Sequence, residues 1–274
     1  ALALAAGDRD SGVRRAALRT LEKLGPAALD ALPALRRALK DKDEFVRWHA
    51  VRALGAIGPA AAPAVPDMLP LLKDHKADVR LGGAKPVLDI GSKWCIARVT
   101  AYALGEIRAA PEQAVPALVE TLKDEDHRVR QTAAESLARY LPEAAGALPK
   151  LTAMLLKEKK AEVRAAAAAA LAAFGPQAEE AIPALIEALG DRESWVGAEA
   201  ATALGRLGPA GRSAVPKLKE LLTGDNPELR RRAACALGEL GPHAADALNA
   251  LTQAVRTDAC LLYTSDAADE EDSV

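Results

Sequence analysis

Residues 41–73 read DKDEFVRWHAVRALGAIGPAAAPAVPDMLPLLK, and this stretch encodes two helices with a break between them. Asp41 and Asp43 precede the apolar run, where carboxylates cap free backbone N–H groups and suit the positive end of a helix dipole. Val46, Ala50, Ala53, Leu54 and Ile57 recur at helical spacing and form one broad apolar stripe. Gly58 permits the left-handed backbone that ends many helices, and Pro59 prevents continuation. Pro66 opens a second helix where its missing N–H costs nothing. Met68, Leu69, Leu71 and Leu72 supply the apolar face of that helix, and Lys73 sits at its negative end. The unit is therefore an antiparallel pair, a first helix and a second helix.

The same pattern returns about every 33 residues, in blocks beginning at Asp8, Asp41, Asp74, Asp124, Glu158, Asp191 and Asp225. A branched apolar residue followed by Arg recurs at Val13-Arg14, Val46-Arg47, Val79-Arg80, Val129-Arg130, Val163-Arg164 and Leu229-Arg230. Leu21, Leu54, Leu137, Leu171, Leu204 and Leu237 follow in register. Then come Gly-Pro breaks at Gly25, Gly58, Gly175, Gly208 and Gly241, and a second Pro at Pro33, Pro66, Pro116, Pro149, Pro183 and Pro216. Self-similarity at one period identifies a solenoid, in which a single pair cannot bury its apolar stripe and stacked neighbours can. A buried Leu or Val contributes roughly 1.5–3 kcal/mol, and several per helix offset the ordering entropy. Ala16, Ala50, Ala133, Ala166 and Ala200 are small enough to let helices approach closely, and the Ala165–Ala170 run stays in helical register. The expected fold is all-α: an alpha-alpha superhelix of about seven helix pairs plus one extra or degenerate helix.

Composition agrees. Half of the 274 residues are hydrophobic but only 3% are aromatic, which suits close-packed helices better than a sheet. No apolar run reaches the ~18 residues that span a bilayer. The recurring Asp-x-x-x-x-Val-Arg, Ala-Leu-Gly, Gly-Pro and Val-Pro-Ala-Leu elements resemble the short bacterial HEAT-like repeats, including those of phycobilin lyase subunits. The resemblance covers residues 1–259. The Thr-Pro-Leu-His signature of ankyrin repeats does not occur, nor do the Trp, Leu-Gly and Tyr positions of tetratricopeptide repeats.

Residues 260–270 break the repeat and resemble the read-through translation of a transposase-type sequencing adapter, over eleven consecutive residues from Cys260 to Glu270. Residues 260–274 are accordingly expected to be an artefactual, disordered tail. Residues 1–259 are expected to form one array, cut at both ends from a longer, metagenomic frame, with frayed or self-associating terminal repeats. The full chain has 36 basic and 38 acidic residues; without the five acids of the tail the balance is 36 against 33. Neither balance carries the charge footprint of a nucleic-acid or membrane-surface protein. Cys95 and Cys235 are the cysteines outside the tail, too few for a disulfide framework or a metal spacing.

A second irregularity lies at residues 79–95. Val79-Arg80 to Ile90 keeps the first-helix frame, yet Pro86 falls mid-helix, where it costs ~3 kcal/mol or more. Ser92-Lys93-Trp94-Cys95 then replaces a second helix. Three readings stay open: a degenerate third helix, a kink presenting Trp94 and Cys95 in a pocket, or an assembly error.

Catalytic chemistry finds little purchase. His49, His75, His127 and His243 fall in different repeats and none is followed by Glu, unlike the His-Glu pairs of HEAT-like di-iron hydroxylases. The recurrent Arg is read as a ladder of ion pairs between repeats, and the Lys at second-helix ends as dipole complements. Trp48 and Trp195 are expected to pack between repeats. The resemblance implies that second helices line the concave surface. Candidate partner-binding residues there are Arg36, Arg37, Asp67, Glu120, Lys150, Glu187, Lys217, Lys219 and Glu220, with Trp94 added from the irregular segment. Their mixed signs suit a protein or peptide partner better than a phosphate backbone. The function expected is a non-enzymatic interaction scaffold with no cofactor and no metal. The alternative implied by the resemblance is a bilin-lyase-like subunit handling a tetrapyrrole on a partner's Cys near Trp94, Cys95 and Tyr102; a nucleic-acid-binding solenoid ranks below both.

Overall fold

The computed structural model describes residues 1–74 and 95–254. Residues 75–94 and 255–274, which hold Pro86, Trp94 and the adapter-like string, lie outside the described residues. Two compact units are distinguished, Ala1–Lys150 and Leu151–Val274. Every regular element among the described residues is helical.

In the first unit the order is α1 (Leu2–Ala5), α2 (Ser11–Leu24), α3 (Leu32–Ala38), α4 (Glu44–Ile57), α5 (Val65–Met68), α6 (Ile96–Ile107), α7 (Pro111–Thr121) and α8 (His127–Leu137). Next comes α9 (Leu148–Lys157), which passes the unit boundary at Leu151. The second unit continues with α10 (Ala161–Phe174), α11 (Ile182–Ala188), α12 (Ser194–Arg206), α13 (Val215–Leu221) and α14 (Pro227–Leu240), and residues 248–254 are again helical. The first helices α2, α4, α6 and α8 stack in the first unit, and α10, α12 and α14 stack in the second.

Starts and stops follow local chemistry. Asp10 caps α2 by accepting the Val13 N–H at 3.0 Å, Asp43 caps α4 from Phe45 and Val46, and Asn226 caps α14 from Glu228 and Leu229. The Gly-Pro break differs from a simple left-handed cap. Gly58 has φ 74° and ψ −145°, and Gly25, Gly175 and Gly241 sit near φ 55° and ψ −130°. This is the mirror-image extended region, open to glycine alone. The break also continues into 3-10 helices, Gly25–Ala31, Gly58–Ala64, Gly175–Ala181, Gly208–Ala214 and Gly241–Ala247, so the second helices α3, α11 and α13 are only seven residues long. Pro116 departs from its expected place as well. With no Gly-Pro after α6, Arg108 and Ala110 take positive φ and α7 begins at Pro111, which leaves Pro116 inside it.

The core is the repeated stripe: Val46, Leu54, Leu104, Leu137, Leu171 and Leu204 are fully buried. Ala50, Ala133, Ala166 and Ala200 are buried as expected, whereas Ala16 is exposed. The glycines of the Ala-Leu-Gly element have a packing reason. A Cβ on Gly55 would stand 3.0 Å from the Ala103 Cβ, one on Gly105 would stand 2.7 Å from the Ser136 hydroxyl, and one on Gly205 would stand 2.9 Å from the Ala236 Cα. Bare backbone lets α4 meet α6, α6 meet α8, and α12 meet α14. Trp48 is 2% exposed and edge-on to His49, but Trp195 is 42% exposed. Trp195 precedes the buried Val196 by one residue, about 100° around the helix, and so faces solvent.

Candidate functional site

Arg14, Arg47 and Arg164 form rungs from a first helix to the aspartate that follows the second helix of the same repeat, at the boundary with the next repeat and within one unit. Arg14 meets Asp41 at 2.8 Å, Arg47 meets Asp74 at 2.8 Å and Arg164 meets Asp191 at 2.7 Å. Each spans 27 residues. The remaining donors hold the arginine's own repeat: Arg14 Nη1 reaches the Asp8 and Arg9 carbonyls, Arg47 those of Asp41 and Lys42, and Arg164 those of Glu158 and Lys159. The aspartate in turn accepts an N–H two residues on, as Asp41 does from Asp43 and Asp191 from Glu193. Burial raises the Asp191 carboxyl, but the Arg164 and Glu193 donors outweigh it and hold the group below the usual carboxylate range. The ladder consumes its charges internally, so these arginines are structural.

The second helices present the candidate binding residues. Asp67 on α5 accepts from Arg36 Nε at 2.6 Å and from the Lys40 ammonium at 3.1 Å, which link α3 to α5 and lower the Asp67 carboxyl. Glu120 pairs with Lys123 at 3.2 Å and Lys217 with Glu220 at 2.5 Å, each within one helical turn. Arg37, Lys150 and Glu187 are exposed and Lys219 is half-buried. The structure therefore puts the nine described candidates on second helices and neutralises many of them locally; Trp94 lies outside the described residues. In the second unit, an open cleft of about 600 Å³ is lined by Leu155, Leu156, Glu187 and the Arg164–Asp191 rung among others. Leu156 is an exposed apolar residue there, 41% accessible, and neither its role nor that of the cleft stood out in the repeat pattern.

Around the irregular segment, Cys95 is half-buried, and burial pushes its thiol up. Tyr102 is exposed, with the Arg139 guanidinium 5.7 Å from its ring centre, and its hydroxyl is raised by burial and by Glu106. Tyr140 is buried instead, donating to the Leu104 carbonyl at 2.7 Å, and burial pushes it up to about 12. Among the described residues no three His, Cys, Asp or Glu side chains gather as a metal site, and no helix is long and apolar enough to cross a membrane.

The family profile of HEAT repeats matches residues 1–85, 86–172, 148–234 and 182–268. The chain is a HEAT-repeat protein. Its fold is similar to that of an engineered protein with 26% identity, covering 92% of this chain and 70% of that one at a TM-score of 0.58. It is also similar to the CpcE–CpcF complex of phycocyanin lyase from Nostoc sp., with 24% identity, 81% and 94% coverage and a TM-score of 0.52. Kap95p, in a structure of its binding to RanGDP, shares 16% identity over 93% of this chain and 37% of its own length, with a TM-score of 0.62. None of the curated proteins compared with this HEAT-repeat protein matches it.

Proposed function

We propose that the protein is a non-enzymatic scaffold that binds a protein or peptide partner along its second-helix surface. The observation that supports this reading is the distribution of polar groups. Arg14, Arg47 and Arg164 of the first helices are spent on the ladder, while the second helices turn Arg37, Lys150 and Glu187 to solvent and α9 and α11 border an open cleft. Mixed and locally paired charge selects a partner by shape and short-range contact rather than by a phosphate backbone. Kap95p, similar in fold, binds RanGDP.

The test is a pair of surface variants. Arg37→Glu with Lys150→Glu, and Glu187→Lys with Leu156→Asp, should weaken partner binding at least about tenfold, a ΔΔG of roughly 1.4 kcal/mol, with circular dichroism unchanged. Arg19→Glu with Arg206→Glu, both exposed on first helices, should leave binding intact. The reverse pattern would move the interface. Co-expression with a bilin separates the enzymatic alternative: a coloured, covalently modified partner would replace the scaffold reading.

A further inference from the structure

The junction between α9 and α10 departs from the repeat in three respects. It holds an extra residue: Pro33, Pro66, Pro116 and Pro183 lie eight residues before Asp41, Asp74, Asp124 and Asp191, but Pro149 lies nine before Glu158. The seventh residue after that proline is Lys40, Lys73 and Lys123 in other repeats and Leu156 here. Leu156 is not taken into the core; it stays 41% accessible on the open cleft of the second unit, which the buried Leu155 and Ala188 also line. The loop has also lost its capping acid. Asp43 caps α4, Asp126 caps α8 and Asn226 caps α14, whereas Lys160 stands at that place before α10 and makes no side-chain cap.

The charges around this cleft do not cancel. The Arg164–Asp191 rung among its lining is closed on itself. Glu158 is engaged by the backbone, accepting the Lys159 and Lys160 N–H groups at 2.8 and 3.2 Å. Arg192 gives one donor to the Lys159 carbonyl at 3.0 Å and remains exposed. Lys157, Lys159 and Lys160 are exposed and enter no ion pair among the described residues. On other second helices Lys40 is held by Asp67 and Lys123 by Glu120. Against the cations of the cleft and its flanking loop, the exposed acid on the cleft wall is Glu187. An exposed apolar foothold beside surplus positive charge complements a chain segment in which a bulky apolar residue has acidic neighbours. Several separated cations suit such a segment better than one small anion, and Glu187 opposes a continuous phosphate backbone.

We propose that the cleft docks an acidic segment of the partner, which seats one bulky apolar side chain against Leu156 while its flanking carboxylates meet Lys159, Arg192 and the neighbouring lysines. The inference rests on the scaffold reading and specifies its ligand. A phage library of random dodecapeptides, panned on the full chain, tests it. Enriched sequences should place Asp or Glu beside a Leu, Ile, Phe or Trp, and the synthetic peptides should bind in fluorescence polarisation with an affinity that falls as salt rises. Leu156→Ser, and Lys159→Glu with Lys160→Glu, alter exposed side chains. Each should weaken those peptides at least about tenfold with circular dichroism unchanged, the loss expected at an anchor and its charged rim. Peptides with Lys in place of their acids should regain binding on the Lys159→Glu, Lys160→Glu variant. No enriched sequence, or enriched sequences without acids, would overturn the assignment. Peptide binding unmoved by both cleft variants would overturn it too; if Arg37→Glu with Lys150→Glu abolishes that binding instead, the scaffold reading stands without the cleft.

Discussion

Replacing Gly58 by Ala isolates the backbone requirement of the Gly-Pro break. Gly58 sits at φ 74° and ψ −145°, and a Cβ built there finds nothing within 4 Å. Steric contact with neighbours therefore adds nothing, and the cost is that of forcing an L residue into a glycine-only region, about 1–3 kcal/mol. Loss of unfolded-state freedom returns about 0.4–1 kcal/mol, which leaves a net destabilisation of about 1–2 kcal/mol. Gly146 supplies the control, because its Cβ would also meet nothing and its φ is not positive; Gly146→Ala should stabilise by about 0.5 kcal/mol. Urea denaturation of the two variants, read as midpoint shifts at constant m-value, gives the comparison. A D-alanine introduced at Gly58 by ligation matches the mirror-image conformation and should stabilise. Equal, small effects of Gly58→Ala and Gly146→Ala would refute the reasoning.

Three further outcomes follow from the same contacts. Arg47→Ala removes a rung in which Nε and Nη2 share one Asp74 oxygen, together with two carbonyl bonds, at a half-buried site and should cost about 2 kcal/mol by urea denaturation. Tyr140→Phe deletes the bond to the Leu104 carbonyl, costing about 1 kcal/mol; in the wild type an alkaline absorbance titration should show one tyrosine ionising only at about 12. Asp126 is held at about 2, below its ordinary 3.8, chiefly by Arg128. Because the folded value is depressed, its contribution is present above about pH 4 and lost as pH falls towards about 2. Asp126→Asn should therefore flatten acid unfolding over that window, by no more than about 1 kcal/mol given solvent screening.

The solenoid was legible because its signal is redundant. Val46, Leu54 and Gly58 each have counterparts in several repeats, and periodic burial leaves few alternatives. The N-cap Asp43 and the arginine ladder were equally open to reading, since both depend on residues at fixed offsets, whereas Asp41, expected to cap as well, accepts from Arg14 instead. What escaped depends on rotation about helix axes, which periodicity does not set. Arg36 and Asp67 pair across 31 residues because α3 and α5 present those faces to each other. The 3-10 segments form where Ala28 and Ala31, or Ala178 and Ala181, are buried against the stack, whereas Gly-Pro alone announces only a break. The binding surface is the least legible part, because exposed side chains are under no packing constraint that a repeat pattern records.

The most direct test of the scaffold account is a photo-crosslinking map. Benzoylphenylalanine is placed singly at the second-helix positions Arg37, Glu120, Lys150 and Glu187 and at the first-helix positions Arg19, Tyr102, Glu135 and Arg206, and each full-length variant is irradiated with a purified partner. The account predicts discrete adducts from the second-helix set and none from the first-helix set. Adducts confined to the first-helix set would contradict it.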